Sequence, residues 1–350
     1  MDTNIIELTE EQSNLSSIDI SQQKIIFGVH GTDKRSKIIQ EYVGKAKYFD
    51  VTFHSGTTYE SFIGEIRQDS DGQSFLPKSF AKAYKTAWEQ PKSPCFIVIQ
   101  NINGGDSSKI FGDLMQSLAR NEKGYSSAPV EVNLVIGKWL TEEFSNNCSI
   151  KDLFKSIYES YETVEAFDYS KIILPPNLYI YATMNTGNND ISTMDSSFKR
   201  LWEWEYSPID YYKANYIMIE LSDDLCYYWG DFIEKVNKVI LEITGSEKKL
   251  MGHHFVNPRN KIISIKEFKS KVISYLWLEV FADEYNNPRT IFRYKQDNVS
   301  ADIIPFTLSD LYETSADKWL SDVYIMSSFM TILGIKKIYK CRLIYTSTPP

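Results

Sequence analysis

Two glycines and a lysine near the start of the chain have the types and the order that a phosphate-binding loop requires. The stretch GVHGTDKRS places Gly28, Gly31 and Lys34 after a short apolar run and before a helical pattern. Small residues let backbone N–H groups surround phosphate oxygens, and a lysine balances the charge of the β- and γ-phosphates. Together with Thr32 and Arg35, they are our candidates for a cofactor-binding loop.

The same stretch departs from the GxxxxGK[ST] pattern in two places. Asp33 stands where the second glycine belongs, and it adds a Cβ and a negative charge that would face phosphates. Arg35 replaces the Ser/Thr hydroxyl that ligates Mg²⁺, and a guanidinium is not a metal ligand. Taken alone, the stretch is more simply explained as a strand–turn–helix connector with an exposed lysine.

A second polar pair follows the buried strand that CFIVI predicts. Gln100 and Asn101 stand at its C-terminal tip, where an α/β nucleotide enzyme would place two acids. An amide has the size of a carboxylate but lacks its charge, takes up no proton near neutral pH and binds Mg²⁺ poorly. The end of this strand therefore resembles the site of a metal-binding acid pair, with amides in place of the acids.

Strands and helices alternate along the first part of the chain. The runs that predict strands are 24–28, 47–53, 95–99, 177–185 and 203–209. Helical patterns such as YESFIGEI and SFAKAYKTAWEQP lie between them, so we expect an α/β fold with a mostly parallel sheet covered on both faces. Ligands of such sheets lie outside the carboxyl ends of the strands, so the loops at 28–35, 100–105 and 185–190 should form one crevice.

Helical patterns dominate after about Asp210, beginning with YYKANYIMIELSDDL. The stretch Val323–Ile335 is apolar but too short to span a bilayer, and it predicts a buried helix. The predicted division is a polar N-terminal segment (1–20), an α/β nucleotide-binding-like core (21–208), a helical lid (209–285) and a C-terminal extension of unclear structure (286–350).

Net charge, the polar start of the chain and the cysteine pattern limit the kinds of protein that this sequence can be. A net charge of −8 and a pI near 5.2 argue against a whole-surface nucleic-acid binder. The acidic, polar start MDTNIIELTEEQSN is not a signal peptide. Four scattered cysteines without a CxxC pair predict reduced thiols. We therefore expect a cytoplasmic protein without a membrane segment.

No metal ligands are assigned from the histidines. His253 and His254 are adjacent, and neighbours on a helix or strand point apart, so we expect no chelating pair. His30 and His54 have no ligand cluster near them in the sequence.

The ordered set of motifs resembles the McrB-type AAA+ NTPases. CFIVIQNINGGDSSKIFGDLMQSLARNEKGYS is similar to their Walker B region, and Leu174–Tyr206 is similar to their sensor-1 strand and arginine helix. Val51–Arg67 and LMGHHFV resemble further segments of the family, in the same order, over roughly residues 20–285. The resemblance implies an AAA+ P-loop fold, with a parallel five-stranded sheet flanked by helices and then a smaller α-helical lid.

The resemblance also assigns roles to residues. Gln100 and Asn101 take the places of the acids that hold the Mg²⁺ water shell and polarise the attacking water. Asn185 takes the sensor-1 position, and Arg200 falls where the family presents arginine fingers to a neighbour's nucleotide. Gly104 stands where the family has arginine. The implied cofactor is ATP or GTP, and the missing acids argue against Mg²⁺.

Three functions follow from these departures. The first is a pseudo-NTPase subunit or regulator with weak or no hydrolysis, acting in a homo- or hetero-oligomer of AAA+ subunits in phage or foreign-DNA defence. The second is an active, divergent ATP or GTP hydrolase that drives a nuclease partner, with acids supplied by residues such as Asp106 or Asp190. The third is an interaction protein that never binds nucleotide. With about 20 residues before its first strand, the chain is expected to contact DNA only indirectly.

Overall fold

The computed structural model describes residues 21–70, 72–145, 148–159, 170–186, 194–282, 291–296, 302–312 and 321–338. Two compact units make up the chain. The first contains the ranges up to Phe27 and from Lys34 to Tyr206, and the second contains Gly28–Asp33 and the chain from Ser207 onwards. The predicted segment 1–20 lies outside the described residues, and the four domain limits stay predictions.

Among the described residues, nine strands belong to the first unit, although Gly28 at the end of β1 is grouped with the second. They are β1 (Gln23–Gly28), β2 (Lys47–Thr52), β3 (Gly64–Asp69), β4 (Gly72–Pro77), β5 (Cys95–Gln100), β6 (Val130–Glu131), β7 (Lys171–Ile172), β8 (Leu178–Asn185) and β9 (Glu203–Tyr206). Five of them form a parallel sheet in the order β2-β5-β8-β1-β9. The predicted α/β fold with a five-stranded parallel sheet is therefore confirmed.

The three central strands of this sheet, β5, β8 and β1, are buried on both faces, which explains why they are mainly apolar runs, whereas the edge strands β2 and β9 are partly exposed. Alternate residues of β5 enter two different hydrophobic clusters, with Ile97 and Ile99 in one and Phe96 and Val98 in the other. Side chains alternate between the faces of a strand, so helices must cover both sides. The sheet can therefore present polar groups at its strand ends while its centre stays dry.

Helices and short helical turns fill the connections of the first unit. They are α1 (Lys34–Lys37, continued by a π-helical segment, Ile38–Val43), α2 (Tyr59–Phe62), α3 (Ser79–Glu89), α4 (Ser107–Phe111), α5 (Leu134–Ser145), α6 (Cys148–Glu159) and α7 (Ser196–Lys199).

The helix predicted for YESFIGEI is wrong beyond its first turn. The helix α2 ends at Phe62, and the chain continues as β3, which pairs with β4 in an antiparallel hairpin. Gly64 explains the change, because a Cβ there would lie 2.1 Å from the ring of Phe75. The close approach of this ring across the hairpin requires glycine, and glycine also weakens a helix.

The second unit mixes helices with a small sheet. Its elements are α8 (Tyr211–Ala214), β10 (Met218–Ser222), β11 (Leu225–Tyr228), α9 (Trp229–Thr244), β12 (Ile262–Ser264), α10 (Ile265–Glu267, continued by π-helical segments Phe268–Ile273 and Leu276–Val280), β13 (Arg293–Lys295), β14 (Ile303–Pro305), α11 (Leu308–Tyr312) and α12 (Asp322–Ile332). A three-stranded sheet has the order β11-β10-β12. The helical pattern read into YYKANYIMIELSDDL is therefore wrong beyond α8, because the buried run of β10 pairs with two other strands.

Two further expectations can be checked in the second unit. The buried helix predicted for Val323–Ile335 is confirmed by α12, whose Phe329 and Met330 are fully buried. Cys226 is disulfide-bonded, so the expectation of reduced thiols is wrong there, whereas Cys95 of the first unit is a buried free thiol. None of the helices described is long and apolar enough to cross a membrane.

A buried lysine ties β1 to β9 in the first unit. The Nζ of Lys24 lies 3.0 Å from Glu205 Oε2 and 3.1 Å from Glu203 Oε1, and only 5% of Lys24 is exposed. Tyr42 donates to Glu205 Oε2 at 2.5 Å, and Lys37 also pairs with Glu205. Burial tends to raise the pKa of Glu205, but hydrogen bonds from Lys37, Tyr42 and Lys24 lower it to about 2.

We expect Glu205→Gln to lower the free energy of unfolding at pH 7 by about 2–3 kcal/mol, because it removes the shared acceptor of this network. The pKa of the carboxyl falls from 4.5 to about 2 on folding, so its stabilisation is complete above pH 4.5 and is lost as the pH falls towards 2. Urea unfolding should therefore separate wild type and variant less at about pH 3 than at pH 7. Glu203→Gln, at a side chain that is 46% exposed, is the control, and an equal loss in both variants would contradict this account.

Candidate functional site

Three side chains of the first unit meet near the carboxyl ends of β2 and β5, and we call Arg35, Asp50 and Gln100 the strand-tip cluster. Arg35 donates to Asp50 Oδ2 from Nε at 3.0 Å and from Nη2 at 2.5 Å. Gln100 Nε2 lies 3.1 Å from Oδ1 and 3.2 Å from Oδ2 of the same carboxylate. Asp50 thus connects Arg35 with Gln100. Arg35 is at the position where the phosphate-loop pattern has a Ser/Thr hydroxyl, and Gln100 is at the position where the first acid was expected.

The register of the sheet produces this cluster. Thr52 of β2 lies opposite Gln100 of β5, and Asp50 precedes Thr52 by two residues, so its side chain is on the same face. Arg35 is the second residue of α1. The hydrogen bond to Asp50 raises the pKa of Arg35, so its guanidinium stays charged at every accessible pH.

Asn101 has a backbone conformation that accounts for its residue type. Its φ of 57° and ψ of 55° are left-handed, which asparagine tolerates better than glutamate does. The backbone N–H donates to Thr183 Oγ1 at 3.0 Å, and the side-chain Nδ2 lies 3.4 Å from the carbonyl oxygen of Phe53. Its Oδ1 is buried without a hydrogen-bond partner among the described residues. The side chain is thus held against the end of β2.

Gly104 has no room for the arginine that the family resemblance led us to compare it with. A Cβ there would lie 2.4 Å from the carbonyl oxygen of Phe53 and 2.3 Å from Asn101 Nδ2. The turn after β5 is therefore closed against the end of β2, and an arginine would require the backbone to move.

Asn185 lies at the last position of β8, half-buried. The side chain of Asn103, which is itself buried, donates from Nδ2 to the backbone carbonyl of Asn185 at 3.1 Å. This bond joins the turn after β5 to the tip of β8. The strand order therefore brings positions 100 and 101, where the family has acids, and the sensor-1 position 185 to neighbouring strand ends of one sheet.

The two other cations predicted for the site differ in exposure. Lys34 opens α1 and is only 6% exposed, so the simple expectation of an exposed lysine is wrong. Arg200 ends α7 and is exposed. The guanidinium of Arg200 is therefore accessible to another molecule.

The central part of the predicted phosphate loop belongs to the second unit, where another segment binds its carbonyls. Gly252 N–H donates to the carbonyl of His30 at 2.9 Å, and His254 N–H donates to the carbonyl of Gly31 at 2.8 Å. Gly31 has a φ of 81°, and a Cβ there would lie 2.6 Å from the backbone N of Phe255. Glycine is therefore required at this position both by conformation and by space.

The flanks of this loop are fixed as well. The hydroxyl of Thr32 donates to the carbonyl of Val29 at 3.1 Å, and Ser207 Oγ donates to the carbonyl of Thr32 at 3.1 Å. A Cβ at Gly28 would lie 2.6 Å from the carbonyl oxygen of Ser207. The loop thus has a defined shape in which Gly28, Gly31 and Thr32 have structural roles.

Asp33 adopts the left-handed conformation that the glycine of a phosphate loop would supply, with a φ of 50°. His254 is its partner, since Nε2 lies 2.9 Å from Asp33 Oδ2. The ligand atoms of Asp33, His253 and His254 lie within 4.8 Å of one another. The expectation that the two histidines point apart is therefore wrong, because they lie in a turn and not on a helix or strand.

This histidine pair is still used within the fold. His253 Nδ1 accepts a hydrogen bond from the backbone N–H of Asp210 at 3.2 Å. The backbone carbonyl of His253 accepts a hydrogen bond from Trp229 Nε1 at 2.9 Å. Burial, and then the neighbouring charge of His254, lowers the pKa of His253, which keeps the ring neutral. With Nδ1 accepting, the proton of the neutral ring is on Nε2, so neither nitrogen offers a metal a free lone pair.

Asp106, considered as a substitute acid, caps a helix. Its Oδ1 accepts from the backbone N–H of Lys109 at 3.2 Å at the start of α4, and its Oδ2 lies 3.0 Å from Lys109 Nζ. Asp190 lies outside the described residues. The acid that sequence analysis missed is Asp50, because its closeness to Gln100 follows from strand order and not from any motif.

The five-stranded parallel sheet, with the order β2-β5-β8-β1-β9 and flanking helices, has the architecture of an α/β P-loop fold of the AAA+ type. No family model matches the sequence. Component YdiS of the type II restriction enzyme BsuMI from Bacillus subtilis (strain 168) is 27% identical over 299 residues, which cover 75% of this chain and 80% of that protein. The EcoKMcrB subunit of a type IV methyl-directed restriction enzyme from Escherichia coli (strain K12) is 24% identical over 151 residues, 43% of this chain and 26% of that protein.

This chain is an McrB-like AAA+ family protein, related to components of restriction systems. Its alignment with the EcoKMcrB subunit spans about a quarter of that protein (26%).

We expect Asn101→Gly to retain about 1 kcal/mol more stability than Asn101→Ala, because glycine accepts the left-handed conformation that alanine resists. Urea unfolding of both variants measures the difference. The control is Lys82, an exposed residue inside α3, where the order should reverse and alanine should exceed glycine by about 1 kcal/mol. The same order at both positions would contradict the assigned conformation of Asn101.

Proposed function

We propose that this chain is a non-hydrolysing AAA+ subunit of a restriction complex. The strand-tip cluster is the observation that supports this most directly. A guanidinium and an amide, both engaged with Asp50, stand where a hydroxyl and an acid would hold Mg²⁺ in a hydrolysing P-loop enzyme. The position of the second acid is an asparagine that cannot act as a base.

The expected loss of rate is large because phosphoryl transfer depends on electrostatic stabilisation. Enzymes of this class neutralise the charge that develops on the transferred phosphoryl group with a metal ion and cations. Loss of a positioned base typically costs about 10²–10⁴ in rate. Loss of the metal ligands adds to this, so turnover should fall to the background level.

The proposed subunit keeps a nucleotide and works through a neighbour. Lys34 remains at the start of α1 as the cation for phosphates, with ATP or GTP as the ligand. Arg200 is exposed at the end of α7, where it can reach the nucleotide of an adjacent AAA+ subunit. The two relatives are named as components of restriction enzymes, which supports an assembly with other AAA+ subunits and a nuclease.

A second function, a partner-binding regulator that takes no nucleotide, is favoured by one observation. The loop Gly28–Asp33 carries its own carboxylate, paired with His254, and its carbonyls are bonded to Gly252–His254. The carboxylate would repel the phosphates of a nucleotide at this loop. Saturable binding of ATP or GTP would exclude this second function.

The purified chain should hydrolyse ATP and GTP no faster with Mg²⁺ than without it, because the metal has no ligands at positions 35 and 100. Phosphate release by wild type should equal that of Lys34→Ala, with Lys82→Ala as a control at an exposed lysine of α3. Magnesium-dependent turnover that Lys34→Ala abolishes would refute the proposed function and favour an active, divergent hydrolase.

Arg200→Ala should lower the turnover of a hydrolysing McrB-like partner subunit in a reconstituted complex by about 10³ or more, the usual effect of an arginine finger. The complex should still assemble, as mass measurement in solution would report, because Arg200 is exposed and supports no core packing. Arg67→Ala, at an exposed arginine paired with Glu65, is the control. Unchanged turnover with Arg200→Ala would show that this residue does not act across the interface.

A further inference from the structure

We propose that the guanidinium of Arg35 takes the place of the divalent cation, so that this chain binds the triphosphate of a nucleotide without a metal. The inference rests on the proposed function, because it assumes a retained nucleotide site that does not hydrolyse. It concerns the strand-tip cluster alone, all of which lies in the first unit.

A divalent metal does not fit the strand-tip cluster. P-loop enzymes hold Mg²⁺ between a Ser/Thr hydroxyl and an acid, and Mg²⁺ demands oxygen ligands in a strict geometry. Here a fixed positive charge stands at position 35, and the amide nitrogen of Gln100 points at Asp50. A metal placed between these positions would meet a guanidinium that never loses its charge.

Asp50 does not replace the missing metal ligands. Its two oxygens accept two hydrogen bonds from Arg35 and two from Gln100. A metal that took this carboxylate would have to break a charge-assisted pair and leave Arg35 without its counter-ion. The acid is therefore committed to orienting the arginine.

Arg35 keeps donors for a phosphate. A guanidinium has five N–H groups. The bonds to Asp50 come from Nε and Nη2, and the side chain also interacts with the hydroxyl of Tyr48, so further N–H groups remain for a ligand. The side chain is 42% exposed, so these groups can reach a ligand. Asp50 fixes the plane of the group, and a planar, oriented guanidinium suits phosphate oxygens. Arginine thus supplies, from the chain itself, the cation that other P-loop proteins take from solution.

Calorimetric titration with ATP and GTP tests this inference. Wild type should bind with the same affinity in EDTA and in Mg²⁺ to within about twofold. Arg35→Thr should weaken binding in EDTA by about tenfold or more, and Arg35→Lys should weaken it less. The double variant Arg35→Thr with Gln100→Asp should bind weakly in EDTA and recover in Mg²⁺. Paramagnetic resonance of Mn²⁺ with ATP should then detect bound metal on the double variant but not on wild type.

The control is Arg67→Thr, which removes an exposed arginine from an ion pair of the same unit and should change none of these measurements. Circular dichroism and thermal unfolding should show that each variant is folded. Wild-type affinity that rises tenfold or more with Mg²⁺, an Arg35→Thr variant that binds like wild type in EDTA, or no binding in any condition would each overturn the inference. The first two outcomes leave the proposed non-hydrolysing subunit standing, whereas no binding would favour the regulator that takes no nucleotide. Hydrolysis is measured separately, and magnesium-dependent turnover would refute the proposed function.

Discussion

A single carboxylate organises the chemistry at the strand ends of the first unit. Asp50 accepts hydrogen bonds from Arg35 and from Gln100, and it thereby holds a cation and an amide together near the carboxyl ends of β2 and β5. Replacing either donor would remove hydrogen bonds from this carboxylate. Positions 35 and 100 are therefore linked through Asp50.

The loop Gly28–Asp33 in the second unit also contains an acid with a partner in the chain. Asp33 has a left-handed conformation although it is not glycine, and its carboxylate lies 2.9 Å from Nε2 of His254. Asn101 also has a left-handed backbone conformation, at the turn after β5. In both places a residue other than glycine has a left-handed backbone, and its side chain has a partner within the chain.

The architecture around these positions remains that of a P-loop protein. The central strands β1, β5 and β8 are buried on both faces by alternate residues, so burial requires them to be apolar. Lys24 pairs with acids of the edge strand β9 near the amino end of β1. At the opposite edge of the sheet, Asn103 joins the turn after β5 to the end of β8.

The amino-acid sequence by itself determined the strands of the parallel sheet and the candidate positions 34, 35, 100 and 185, because apolar runs and motif order are local features. It misassigned β3, β10 and the two histidines, since pairing partners and turn geometry depend on residues distant in the chain. Only the tertiary structure identified Asp50, because β2 becomes a neighbour of β5 through the strand order and not through sequence proximity. It also decided the burial of Lys34 and the lack of space at Gly104, which depend on what packs against them.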